Sequence, residues 1–110
     1  MAADLIRLGN TDRNSDVRAQ AWFSLAHTGA PEAEAAIVAA VRKDSDHSVR
    51  ERAIFALSRL PDERATRALI AAAEDQSLSR QERKRAVFWL AQSESDAAQA
   101  YLEQVLTATH

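Results

Sequence analysis

The chain is 110 residues long, enough for one domain with a modest buried core. Its apolar share of 46% is mostly Ala and Leu, with two Gly and few β-branched residues, a mix that favours helix throughout. A formal net charge of −2 leaves no global field to draw it to nucleic acid or anionic lipid, and the absence of Cys excludes disulfides, thiolate metal sites and thiol nucleophiles. No apolar run approaches the roughly 18 residues that span a bilayer. The opening MAADLIRLG is too short and polar for a secretory h-region, and the compartment stays open.

Residues Ala3–Leu8 read as the tail of a helix stopped by Gly9-Asn10. Moved 32 residues along, Leu5 and Leu8 fall on Ile37 and Ala40 of a later helix, so the chain is expected to open halfway through a repeat, either of a longer, cut array, the favoured reading, or as a half-unit that serves as a cap. Leu5, Ile6 and Leu8 then lack a preceding helix, which predicts self-association through this half-repeat or a frayed start.

Asn10–Asp16 is a polar turn of capping residues, with counterparts at Asp44–Ser48 and Asp75–Ser79. Each precedes a first helix, expected over about Asp16–His27, Ser48–Leu60 and Ser79–Ser93. Short breaks follow at Thr28–Ala30, Pro61-Asp62 and Glu94-Ser95. Pro31 is expected in a first helical turn, with Asp62 and Ser95 as N-caps. Second helices are expected over about Pro31–Arg42, Glu63–Glu74 and Asp96–Thr107. The organisation is therefore a half-repeat at 1–9 and three hairpin repeats at about 12–43, 44–75 and 76–108, in one domain over 1–110.

The first helices repeat a phrase. VRAQAWFSL (Val17–Leu25), VRERAIFAL (Val49–Leu57) and ERKRAVFWL (Glu82–Leu90) place Ala21, Ala53 and Ala86 at intervals of 32 and 33 residues (53 − 21 and 86 − 53). A period of that size returning one apolar frame signifies a stacked array. On a wheel with Val49 at zero, Ala53, Ala56, Leu57 and Leu60 gather in one arc, the seam against the second helix. The second helices answer with Ala33, Ile37, Ala40 and Val41, then Ala65, Leu69, Ala72 and Ala73, then Ala98, Leu102, Val105 and Leu106. Trp22, Ile54 and Val87 share a flanking position expected to be buried against a neighbouring repeat.

The phrase V-R-x-x-A-x-x-x-L in short helical hairpins resembles HEAT repeats, in particular the compact HEAT-like repeats of the phycobilin-lyase type. Asp12…Val17-Arg18…Ala21…Leu25 and Asp44…Val49-Arg50…Ala53…Leu57 carry the likeness, with a weaker copy at Asp75…Glu82-Arg83…Ala86…Leu90. The resemblance implies an all-α, right-handed α-α superhelix of about three hairpins plus the leading half-repeat. It also implies a ladder between successive units, formed by Asp12, Asp44 and Asp75 with Arg18, Arg50 and Arg83. The third unit departs from the pattern: Glu82 replaces the Val, and one residue is inserted in the loop at 76–81.

Three surfaces could act. The second helices would line the concave face, where solenoids commonly bind; Ala35, Val38, Arg42, Arg67, Ile70, Glu74 and Glu103 point outward there, small residues beside mixed charges. Phe23, Phe55 and Phe88 recur at one repeat position about 150° from the seam. They form either a convex apolar ridge or the filling between consecutive first helices. Arg80, Arg83, Lys84 and Arg85 cluster near Trp89, but Glu82 interrupts them and no wall of positive charge builds up. His27, His47 and His110 lie far apart without metal-ligand spacing, and no nucleophile elbow, P-loop or dinucleotide fingerprint occurs, so no cofactor, metal or catalytic residue is expected. Glu63 and Arg67 read as an i,i+4 pair. The expectation is a non-enzymatic module that binds a protein or peptide, with no membrane and no nucleic acid. The competing reading is a nucleic-acid-binding or base-processing HEAT-like domain.

Overall fold

The computed structural model describes residues 1–61 and 63–108, and among them there are seven helices and no strand. They are α1 (Ala2–Thr11), α2 (Ser15–Ala26), α3 (Ala33–Lys43), α4 (His47–Ser58), α5 (Arg64–Ala73), α6 (Arg80–Gln92) and α7 (Asp96–Ala108). Each start has a local cause. Asn14 Oδ1 accepts the amides of Asp16 and Val17 ahead of α2, and Asp46 Oδ1 accepts that of Ser48 ahead of α4. Ser79 and Glu82 close a reciprocal capping box on α6. Ser95 caps α7 through the amide of Ala98, as expected. Pro31 sits in the turn before α3 rather than in its first turn, because the helix begins at Ala33. The other expected cap, Asp62, lies outside the described residues.

The helices form an α-solenoid of two layers, with overall extents of 45 × 26 × 17 Å. One layer holds α2, α4 and α6, the A helices; the other holds α1, α3, α5 and α7, the B helices. Packing is tightest within the pairs α1–α2, α3–α4 and α5–α6, which are joined by the Asp-containing turns. Helical wheels place the main seam at the other pairing, α2–α3, α4–α5 and α6–α7, where the helices in fact pack less closely. A wheel identifies an apolar face but not the neighbour that covers it. Both α2 and α4 are enclosed on several sides, so their buried residues surround the helix instead of forming one stripe.

The seam residues Val49, Ala53, Ala56, Leu57 and Leu60 are all buried, as are Ala33, Ile37, Ala40 and Val41 on α3. Trp22 and Ile54 are fully buried, while Val87 of the last unit is half-buried. Burial weakens along the last B helix: Ala98 is enclosed, but Leu106 is 64% exposed, so it does not belong to the core. Within the A layer the helices approach one another more closely than in the B layer. Small buried residues on them, Ala19, Ala53, Ala56 and Ala86, let their backbones draw together.

Gly9 does not stop α1; it lies inside the helix and is buried, with α1 running on to Thr11. The reason is steric. A Cβ at position 9 would lie 2.4 Å from the indole of Trp22, so only Gly lets α1 seat on that ring. The helix tolerates the poor propensity of Gly because packing outweighs it. Leu5 and Ile6 are half-buried against the core, whereas Leu8 remains 38% exposed.

Candidate interaction surfaces

A chain of arginine bonds crosses the repeats. Arg18 on α2 donates from Nε and Nη2 to both oxygens of Asp44 at 3.0 and 3.2 Å, and from Nη1 to the carbonyl of Asp12 at 3.0 Å. Its pKa is raised, first by the bond to Asp44. Arg50 on α4 repeats half of this, donating from Nη1 to the carbonyl of Asp44 at 2.8 Å. Its other partner is not Asp75. Arg50 Nε donates instead to Glu82 Oε2 at 2.6 Å. Asp75 turns to Arg42, 3.0 Å away, and to the amide and hydroxyl of Ser77. The two departures of the third unit thus compensate each other: the extra loop residue goes with the displaced aspartate, and the carboxylate at the Val position supplies the rung. Arg83 donates to the carbonyl of Leu78 in its own turn.

Glu82 is 3% exposed and makes two kinds of bond at once. Burial pushes its pKa up, but the guanidinium of Arg50 and the Ser79 amide outweigh that and hold it below the usual carboxylate range. His47 lies 3.5 Å from both Glu51 and Glu82, at the edge of the same cluster.

The A face carries aromatic rings in sequence. Phe23 stacks on Phe55 at 5.6 Å with planes 10° apart, and Phe55 meets Trp89 at 4.8 Å. Phe23 and Phe55 are half-buried, so they fill the space between consecutive A helices. The third member of the row is Trp89, not Phe88; Phe88 packs edge-on against Trp89 and is 46% exposed. Trp89 itself is half-buried. Arg59 lies 5.7 Å over Phe55 and Arg85 lies 5.8 Å over Phe88. Ion pairs Arg52–Asp16 and Arg85–Glu51 cross this face at 2.9 and 3.3 Å.

The basic cluster is partly used internally. Arg85 pairs with Glu51, and Arg83 is half-buried and spends one nitrogen on the carbonyl of Leu78, so Arg80 and Lys84 are the cations of the cluster left both exposed and, among the described residues, without an internal bond. Affinity for a polyphosphate chain scales with the number of phosphates neutralised, and two exposed cations support little of it.

On the B face, Ala35, Ala71 and Ala100 are exposed and Val38, Ala39 and Ile70 half-buried. Its charges bridge neighbouring helices. Arg67 pairs with Glu34 of α3 at 2.6 Å, in place of the expected partner Glu63 on its own helix, and Glu34 raises its pKa. Arg42 is held by Asp75, and Glu74 stands beside Tyr101, whose pKa is raised first by burial and then by that carboxylate. Glu103 is exposed on α7. Between α5 and α7 a gap of about 300 Å³ opens, lined by Glu63, Thr66, Arg67, Ile70 and Ala97. A second opening of about 540 Å³ lies on α7, lined by Ala100, Glu103, Gln104, Leu106 and Thr107.

Among the described residues no group of three His, Asp or Glu side chains could hold a metal ion, and no helix is long and apolar enough to cross a membrane. His110 lies outside the described residues. A family model of HEAT repeats matches residues 3–82, from α1 to the start of α6. No curated protein matches the chain.

Proposed function

The chain belongs to the HEAT-repeat family, and on that footing we propose that it is a non-catalytic scaffold holding a peptide or protein partner on its B-helix face. HEAT repeats commonly mediate protein–protein interaction. The observation that carries the choice of face is the gap between α5 and α7, which half-buried Ile70 lines together with the exposed charges of Arg67 and Glu63. The wider helix spacing in this layer favours it over the A layer, where the opening between α2 and α4, lined by Ala19, Gln20, Phe23, Arg52 and Phe55, is smaller at about 200 Å³. Ala35, Ala71 and Ala100 let a partner backbone come near. Because Arg67 and Arg42 already have carboxylate partners, a partner exchanges ion pairs rather than filling vacant charges. That fits an amphipathic segment with one apolar anchor for Ile70 and charges of both signs beside it.

The test is affinity capture with face-specific variants. Ile70→Asp and Arg67→Glu should each lose the captured partner, while Arg52→Glu on the A face should keep it. Retention by both B-face variants with loss by the A-face variant would reverse the assignment.

A further inference from the structure

The joint between α2 and α4 and the joint between α4 and α6 are not chemically alike. At the first stand Ala26, Ala33 and Leu60, all buried. One repeat later those places hold Ser58, Ala65 and Ser93, all half-buried. There α6 packs less closely on α4 than α4 does on α2, and a cavity of about 170 Å³ opens between the ends of α4 and α6 and the first turn of α5. It is smaller than the roughly 300 Å³ that a drug-sized molecule needs, and it suits a group the size of one side chain.

Its walls hold hydrogen-bonding groups that the fold leaves unused. Thr66 is 5% exposed, yet its hydroxyl makes no hydrogen bond among the described residues and is not sealed from solvent. It stands in the wall between this cavity and the α5–α7 gap. Trp89 Nε1 is buried and donates to no acceptor among the described residues. Gln92 is exposed with its carboxamide free there. Arg59 lies over the Phe55 ring and pairs with no carboxylate among the described residues. Ser58 and Ser93, by contrast, serve their own turns through the carbonyl of Phe55 and the amide of Ser95. Among the described residues no Asp or Glu lines the cavity. A wall of donors without acceptors is matched by an anionic oxygen ligand.

We propose that this cavity binds a carboxylate, with Arg59 supplying the charge and Thr66 and Gln92 the hydrogen bonds. One cation suits one negative charge, and Glu63 and Glu94, next to the lining residues in sequence, weigh against a dianion such as phosphate. Arg59, Trp89 and Gln92 do not line the α5–α7 gap, so the site is independent of the B-face reading.

The two tryptophans make the test direct, because Trp89 lines the cavity and Trp22 is fully buried away from it. Proton–nitrogen spectra resolve their indole N–H signals, and Trp89→Phe assigns them. Sodium acetate, titrated at constant ionic strength, should move the Trp89 signal with about millimolar affinity and leave that of Trp22 in place. Acetamide, of the same shape but uncharged, should not. Arg59→Gln should weaken acetate by about tenfold to a hundredfold and Thr66→Val by about fivefold, while Arg59→Lys recovers part of the loss. N-acetyl-aspartate N-methylamide, a carboxylate flanked by peptide bonds, separates the sources: tighter binding than acetate assigns the site to an acidic side chain of a protein, and weaker binding to a free small acid. Far-UV circular dichroism checks that each variant is folded. A Trp89 signal unmoved by either carboxylate up to about 100 mM, an equal response to acetamide, or a folded Arg59→Gln chain that binds like the parent would overturn the proposal.

Discussion

Glu82 stands where the other two units have Val17 and Val49, and replacing it with Val separates two views of that position. If the position were simply part of an apolar frame, Glu82→Val would restore the repeat and stabilise the fold. The structure predicts the reverse. Breaking a buried ion pair costs about 3–5 kcal/mol when the surviving charge stays trapped. Arg50, whose side chain is 25% exposed, can turn partly to water, which lowers that figure. Loss of the capping box adds about 1 kcal/mol, and the buried methyls of Val return about 1 kcal/mol. Glu82→Val should therefore lose about 2–3 kcal/mol, Glu82→Ala about 3–4, and Glu82→Gln, which still accepts hydrogen bonds, about 1–2. In a domain of this size 1 kcal/mol moves Tm by about 4–8 °C. Urea unfolding of Glu82→Gln, Arg50→Gln and the double variant should give a coupling of about 1–2 kcal/mol. A Glu82→Val chain as stable as the parent, or a coupling under about 0.5 kcal/mol, would show that Arg50 and Glu82 do not hold the second joint.

The same carboxylate has an acid signature. With its folded pKa depressed, its contribution is complete above the unfolded value near 4.5 and fades as pH falls through the folded value, so Glu82→Gln should flatten stability loss below about pH 4.5. Asp75 and Asp46 are shifted the same way, each by hydrogen bonds from a neighbouring serine, and leave a residual acid slope in that variant. Gly9→Ala should destabilise by about 1–2 kcal/mol despite a propensity gain of about 1, because its Cβ meets the Trp22 ring; a higher Tm would contradict that packing. Phe55→Ser should lose about 2–3 kcal/mol and Phe88→Ser under about 1, since only Phe55 is held between two rings; equal losses would contradict the row running through Trp89. Fluorescence anisotropy with duplex DNA at low salt should show no saturable binding, and tight binding that weakens steeply with salt would contradict the account of Arg83 and Arg85 as internally engaged.

The repeat frame was legible because Ala53, Leu57 and their equivalents recur at a fixed interval, and burial follows them closely. What the wheels missed depends on partners distant in sequence. Gly9 reads as a helix stop until the Trp22 ring is known to lie against it, and no local signal announces that contact. Glu82 was visible as an exception, but its role as Arg50's partner depends on how the loop at 76–81 carries Asp75 away. Phe88 shares its repeat position with Phe55, yet Trp89 takes the place in the ring row, and α6 packs less closely on α4 than α4 does on α2. On the B face, Arg67 could be placed outward from spacing alone, whereas its bond to Glu34 required knowing how α3 and α5 lie.

Everything assigned to a face rests on the hairpins lying side by side in chain order, so that α4 separates α2 from α6. The chain has no cysteine, so spin labels can be placed cleanly at the exposed residues Gln20 on α2 and Lys84 on α6. Ordered stacking predicts backbones two helix spacings apart, about 16–20 Å before the label arms are added. A separation of a single spacing, about 8–10 Å, would place α2 against α6 and contradict the stack.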